Sequence, residues 1–356
     1  MATHDNTIIG SMLDVVKFQL KGNEAIQNVA NTLAERSDFF RLVPAYPANS
    51  GTFHKGLRSV SLPTGYLVDV GGSWKGSKAD FEPVMETLCT IRSAYECNRD
   101  MFLNVAPEQG QALLRANKAS HIEAINQGMD NIMLTGPTTP DLSAIVGIKQ
   151  RKPYTTYDHK FCFSAGGSGS DLRSAWLIKP GIDTFHALYN QYHPTLGVQE
   201  EDMGINRVDG LGTSSDEHRY DICIEFMLQK GLHIVDQRAV KRICNVACGV
   251  TDDPGVDLVN TIIDAATINT PKGGNLMTYD ANMRNVEEKK SPWILFCDER
   301  LYSKLVRAQN NKTFVFSSAE NIYRTELPMI GKDIIIARWD ALNRDIGSGE
   351  TVVAAA

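Results

Sequence analysis

The order of elements along the chain predicts an α+β protein, and three stretches carry the prediction. The segment YDICIEFMLQ from Tyr220 to Gln229 puts Ile222, Ile224, Phe226 and Leu228 on one side and Asp221, Glu225 and Gln229 on the other, the period of a half-buried strand. Pro107 opens a run that continues as one helix to Leu134, before Gly136 and Pro137 end it. Between Gly51 and Cys97 two strand-like arms flank a segment crowded with Pro63, Gly65, Gly71, Gly72 and Gly76, the pattern of a long hairpin.

Taken in order, Ser11 to about Ala34 reads as one or two amphipathic helices interrupted at Gly22, too short in apolar surface to fold alone. VPAYPANSGTF follows as an extended connector. In the second hairpin arm, Met85, Cys89, Ile91 and Tyr95 are expected on one face and Glu86, Thr90 and Arg92 on the other, with Leu88 out of step. Arms of about 11 residues at roughly 3.3 Å each reach about 35 Å, and an isolated two-stranded ribbon is marginal in water, so it should rest on something, another subunit included. The helix from Pro107 forms a rod of roughly 40 Å whose second half carries Ile122, Ile125, Met129, Ile132 and Met133 on one face. After the Tyr220 strand, GLHIVD and AVKRICNV read as further strands. DDPGVDLVNTIIDAA reads as a helix with Asp253 as N-cap and Val256, Val259, Ile263 and Ala266 buried. WILF, DERLYSKLVRAQ and KTFVF give strand, helix and strand, and DIIIARWDAL closes with an apolar strand. The sequence shows no internal repeat.

Composition narrows the function. The 356 residues are 42% hydrophobic and 22% charged, an ordinary globular balance that excludes collagen, coiled coil and low-complexity scaffolds. No apolar run approaches the roughly 18 residues of a membrane span, so no membrane partner is expected. The N-terminus lacks a basic region followed by an apolar one, so no secretory signal is expected and folding in a cytoplasm is. A formal charge of −6 and a pI of about 5.8, with no Arg-rich arm, argue against a protein that grips phosphates directly; near nucleic acid it would enclose rather than read.

The motifs that would carry chemistry fail one by one. Seven cysteines, an odd number without a C-x-x-C pair, read as small buried hydrophobes, and Cys244 and Cys248 lack the partners of a zinc site. AGGSGSD from Ala165 to Asp171 has neither G-x-G-x-x-G nor GK[ST] and precedes a strand-like SAWLI, so it reads as a flexible loop. Ser73 and Ser168 miss the nucleophile elbow and read as turn serines. His121 on the long helix reads as a surface or packing histidine. Glu200, Glu201 and Asp202 lack the alternation of a calcium loop and read as a solvated loop. The sequon at Asn311 matters only in a secreted protein. No catalytic residue, metal site or cofactor is therefore expected.

The residues GTFHKGLRSVSLPTGYLVDVGGSWKGSKADFEPVMETL, followed by PEQGQALLRANKASHIEAINQGMDNIMLTG and then by SAWLIKPGIDTFHALY and YDICIEFMLQKGLHIVDQRAVKRICNV, carry a likeness. From about Leu13 to Leu342 the chain resembles the major capsid proteins of tailed double-stranded DNA phages, the Hong Kong ninety-seven type fold, in its short-armed branch. The resemblance implies an N-terminal arm over 1–50, an extended loop over 51–97, and a peripheral domain over 98–165 with its spine helix at 107–134. It further implies an axial domain in two parts, 166–219 and 250–330, a return through the peripheral domain over 220–249, and a closing strand and tail over 331–356. The implied function is structural: pentamers and hexamers of one chain tiling an icosahedral virion shell around double-stranded DNA, with a portal protein, possible separate scaffolding and decoration proteins, and non-specific contact with the DNA as partners. Only about 50 residues precede the hairpin, room for an arm but not for a cleavable scaffolding domain, so a separate scaffold or none is expected. The family's lysine to asparagine cross-link is not carried over; Lys75 and Lys78 read as solvated or interfacial charge.

Within this reading the inter-subunit interface is expected on the hairpin, at Phe53, Lys55, Arg58, Trp74, Lys75, Lys78 and Arg92, with Trp74 as its anchor because an indole among glycines at a tip is costly in a monomer. Two other readings stand beside it: an encapsulin-like nanocompartment shell of the same fold, and a cytoplasmic α/β enzyme using the region near Trp293.

Overall fold

A computed structural model of the chain describes residues 37–100, 107–137, 145–168, 171–192, 197–209, 218–249, 255–279, 285–310, 319–320, 326–327, 329–330, 334–346, 350 and 352–355. Residues 1–36 of the expected N-terminal arm, the Asp253 cap, the sequon and KTFVF lie outside the described residues. In chain order the elements are α1 (Phe39–Leu42), β1 (Ala45–Pro47), β2 (Phe53–Ser61), β3 (Asp80–Thr87), β4 (Cys89–Asn98), α2 (Pro107–Thr135), β5 (Cys162–Ser164), β6 (Leu172–Ile178), β7 (Phe185–Tyr189), β8 (Gln199–Asp209), β9 (His218–Ile234) and β10 (Val240–Ala247). There follow α3 (Gly255–Thr267), β11 (Asn275–Tyr279), β12 (Asn285–Lys290), β13 (Trp293–Cys297), α4 (Glu299–Asn310), the two-residue strands β14 (Ala319–Glu320), β15 (Glu326–Leu327) and β16 (Met329–Ile330), then β17 (Ile334–Arg338) and α5 (Ala341–Ile346). The α+β class stands, and GLHIVD proves to be the continuation of β9 rather than a separate strand.

The chain divides into two compact units. Among the described residues the first holds 90–100, 107–129, 197–209 and 218–229. There β8 runs antiparallel to the first part of β9, Gln199 opposite Met227, and β4 is another neighbour of β9. Glu200, Glu201 and Asp202 thus lie on a strand and not in a loop, and Glu200 is paired with Lys118 of α2. His121 is a packing histidine: its Nδ1 is 2.6 Å from Ser93 Oγ, its ring stacks on Phe226, and burial lowers its pKa.

The second unit is built on a six-stranded sheet of order β16-β17-β13-β6-β10-β5. Its centre, β6, is buried at all seven positions, and β13 at all five, so both faces of this sheet are covered. On one face Leu258, Val259, Ile262 and Ala265 of α3 and Leu301 and Leu305 of α4 meet Leu177, Leu295 and Ile336. The buried stripe of α3 is therefore rotated from the expected one: Ile263 is 43% exposed, because the helix turns Leu258 and Ile262 toward β5, β6 and β10. Asp298 caps α4 by accepting from the Leu301 amide at 3.0 Å; desolvation raises its pKa despite that bond and Arg173 nearby. Aromatic rings fill another part of the core, with Phe39 stacked on Trp339 at 4.3 Å and edge-on to Phe185.

Two details tie peripheral segments to this body. Gly136, at φ +78°, ends α2 in the left-handed region, and a side chain on Gly147 would come within 2.2 Å of the Gly136 nitrogen, so the close chain crossing there admits only glycine. Near the C-terminus, Asn245 receives the Val353 amide at 2.8 Å and donates to the Val353 carbonyl at 3.1 Å, while Glu350 pairs with Arg242. Val353 thereby covers Cys162 and Cys244. All seven cysteines are buried thiols.

Candidate assembly surface

The hairpin forms, but shorter than the sequence suggests. β2 and β3 pair antiparallel from Phe53 opposite Thr87 to Ser61 opposite Asp80, and the second arm stops there. Leu88 and Cys89 are both buried, which breaks the alternation, and Cys89–Asn98 becomes β4 of another sheet. Two expectations fail for that reason. Arg92 is not on the hairpin; it lies on β4, 4.0 Å from Glu225. Met85 and Glu86 do lie on opposite sides, but Met85 does not share the side of Cys89 and Tyr95: it is 64% exposed, whereas those two and Glu86 are buried.

Residues directly opposite in an antiparallel pair point to the same side of the ribbon. One side therefore carries His54, Gly56 and Arg58 with Glu82, Val84 and Glu86, and the other carries Lys55, Leu57 and Ser59 with Phe81, Pro83 and Met85. The polar side is the one turned inward. Arg58 donates to the Ile234 carbonyl at 2.8 Å, and Glu86 forms a two-bond pair with Arg151 at 2.7 and 2.8 Å. His54 packs on His233, ring centres 4.7 Å apart, and His233 on His186 at 5.2 Å. Burial drives His186 down to about 4 and His233 to about 3, so both are neutral at pH 7. The outward side is apolar: Leu57 is 72% exposed and Phe81 62%. Pro83 is tolerated because each strand of a two-stranded ribbon is an edge.

Beyond Ser61 the ribbon continues as a loop turned at Gly71, φ +87°, where the Gly72 amide donates to the Asp69 carbonyl at 2.9 Å. Ser77 Oγ ties the two sides by donating to the Thr64 carbonyl at 2.9 Å. The loop exposes Leu62, Leu67, Val70 and Trp74, the indole at 74%. Lys75 is exposed, and Lys78 reaches only Asp80 at 4.0 Å. Phe53 is half-buried under the Lys55 ammonium, 5.1 Å from its ring centre. Of the seven expected residues, Arg58 is thus engaged within its own chain and Arg92 lies elsewhere. Lys55, Trp74, Lys75 and Lys78 are on the exposed ribbon, with Phe53 at its base. Glu86, Arg151 and the three histidines were missed, since no local pattern links residues that lie in separate strands and loops far apart in the chain.

Reactive chemistry is sparse. No group of three or more His, Cys, Asp or Glu able to hold a metal occurs among the described residues, and no helix there is long and apolar enough to cross a membrane. A surface cavity of about 310 Å³ in the first unit lies between Arg92, Glu200, Glu201, Glu225 and Met227.

Comparison with known proteins places this geometry. A search of curated protein sequences finds no match. Among solved structures, the chain is similar to one from bacteriophage Epsilon15, with a TM-score of 0.66, 17% identity and full coverage of both chains. It is also similar to the bacteriophage JBD30 capsid, with a TM-score of 0.48, 9% identity and coverage of 92% of this chain and 98% of that one. The Epsilon15 likeness establishes the fold as the Hong Kong ninety-seven type. The family model described as major capsid protein GP7 matches residues 21–348. That match selects the capsid reading over the nanocompartment shell and the enzyme, and this chain belongs to the GP7 family of phage major capsid proteins.

Proposed function

We propose that copies of this chain close an icosahedral shell of pentamers and hexamers around the double-stranded DNA of a tailed phage, each ribbon lying on a neighbouring copy. One observation carries the proposal: the ribbon turns its polar side to its own chain and an apolar side to solvent, and the loop beyond it leaves Trp74 exposed. At roughly 25 cal/mol per Å² of apolar area, that surface is costly to leave wet in a monomer and stabilising once covered. Trp74 is the anchor, with Lys55, Lys75 and Lys78 around it as rim charges of small individual effect.

In this reading 53–87 is the extended loop, Pro107–Thr135 the spine of a peripheral domain, and the stretch containing α3 and α4 much of the axial domain. The acidic chain needs no basic arm if DNA is driven in by a motor at a portal vertex; scaffolding and decoration proteins would be separate chains, and assembly would take place in the host cytoplasm. Electron microscopy of the expressed protein, alone and with a co-expressed scaffold, tests this. Closed shells with ribbons crossing subunit boundaries support it; a discrete particle of a few protomers in both samples overturns it.

A further inference from the structure

The underside of the ribbon joins three histidines from three strands. His54 comes from β2, His186 from β7 and His233 from β9, and their ring centres lie 4.7 to 6.4 Å apart. His54 is the one that belongs to the ribbon; the other two belong to the paired strands beneath it, where Phe185 opposes Ile234 and His186 opposes His233. The fit is close. A side chain on Gly56 would come within 3.1 Å of the His233 ring. His233 Nδ1 is buried with no hydrogen-bond partner, whereas His186 Nδ1 lies 3.3 Å from the Gly181 carbonyl and His54 Nδ1 accepts the Asn49 amide at 3.3 Å.

We propose that this trio is a proton-released latch: neutral and packed, the rings hold the ribbon base on β7 and β9, and charging them frees the ribbon from that sheet. A second charge would have to enter a site already facing the Arg58 and Arg151 guanidiniums, and a protonated His233 would bury an N–H with nothing to accept it. The groups facing the trio are Arg58 from β2, Glu86 from β3, Arg151, Asp183 beside His186, and the Tyr46 ring from β1. Glu86 and Asp183 favour protonation of His54 and His186, but Glu86 is already held by Arg151, and burial outweighs both carboxylates.

The direction follows from linkage. A freed histidine takes a proton near its ordinary value of about 6.5, whereas docked His186 and His233 resist to about 4 and 3, so docking is strongest above 6.5 and weakens as pH falls through that window. Between pH 6 and 5 each of the two lowers the docking constant about sevenfold, about fiftyfold together. Between pH 6 and 5 ordinary carboxylates stay ionised, which isolates the histidines.

Hydrogen exchange on the full chain, corrected for intrinsic rate, tests the latch. Protection of the β2 and β3 amides should fall about fiftyfold from pH 6 to pH 5, while β6 and β13 amides hold theirs. The H186Q/H233Q variant should flatten that profile to tenfold or less, and H121Q, a half-buried histidine elsewhere, should leave it unchanged. A flat wild-type profile overturns the proposal, as does an equal slope in the double variant. If the double variant fails to fold, the wild-type profile together with a histidine NMR titration decides: His186 and His233 that titrate near 6.5 with the ribbon still protected would refute the latch.

Discussion

The six-stranded sheet and the β2–β3 ribbon are made by the same chain from the same strand-forming residues, yet they solve burial in opposite ways. Every residue of β6 is buried, and helices α3 and α4 are supplied from within the chain to cover it. The ribbon has only a latch of polar groups beneath it and leaves Leu57, Phe81 and Trp74 in water. The sheet is complete in one molecule. The ribbon is not, and a two-stranded element with its apolar side wet is stable only when something else dries it.

Four changes would break or sharpen that contrast. Leu295→Ala, at a fully buried position of β13, should cost about 2–5 kcal/mol by cavity formation and lower the melting temperature of the whole chain. Arg151→Ala leaves the Glu86 carboxylate buried without its partner, a loss of about 3 kcal/mol. Unlike the first change, it should act on the ribbon base, with exchange rising in β2 and β3 and not in β6. Trp74→Ala should leave the melting temperature of the unassembled chain unchanged, since the indole is mostly exposed, while shell yield or stability drops by an amount typical of an anchor, about 2 kcal/mol per copy. Unchanged particles would remove Trp74 as the anchor. Lys78→Ala should do least, leaving both the melting temperature and particle yield as they were, because its contact with Asp80 is long and solvated. Denaturing gels of whole particles should then show only monomer, in keeping with Lys75 and Lys78 having no covalent role.

Much of the architecture was legible before any coordinates. Helix α2 runs where Pro107 and Gly136 bracket it, and Ile125, Met129 and Met133 are buried as their spacing predicts. The turn residues between Pro63 and Gly76 marked a loop between two paired arms, and they sit in one. What failed was orientation. Glu86 was set on a face with Thr90 and Arg92, yet it is buried, because Arg151 waits for it 65 positions along the chain. Ile263 was assigned to the core and faces out, because α3 turns Leu258 and Ile262 to the sheet instead. Glu200 and its neighbours looked like a solvated loop, and instead pair along β9.

Local chemistry alone therefore settled most of which segments extend and which coil, since capping, turn geometry and hydrophobic period act over a few residues, but not where the second hairpin arm stops or that Glu200 to Asp202 lie on a strand. Tertiary structure decided which side of each segment turns inward and which distant partners meet there: Arg58 with the Ile234 carbonyl, and His54 with His186 and His233. The reason is that burial of a charge or a ring depends on the partner that compensates it, and no short window of sequence contains that partner.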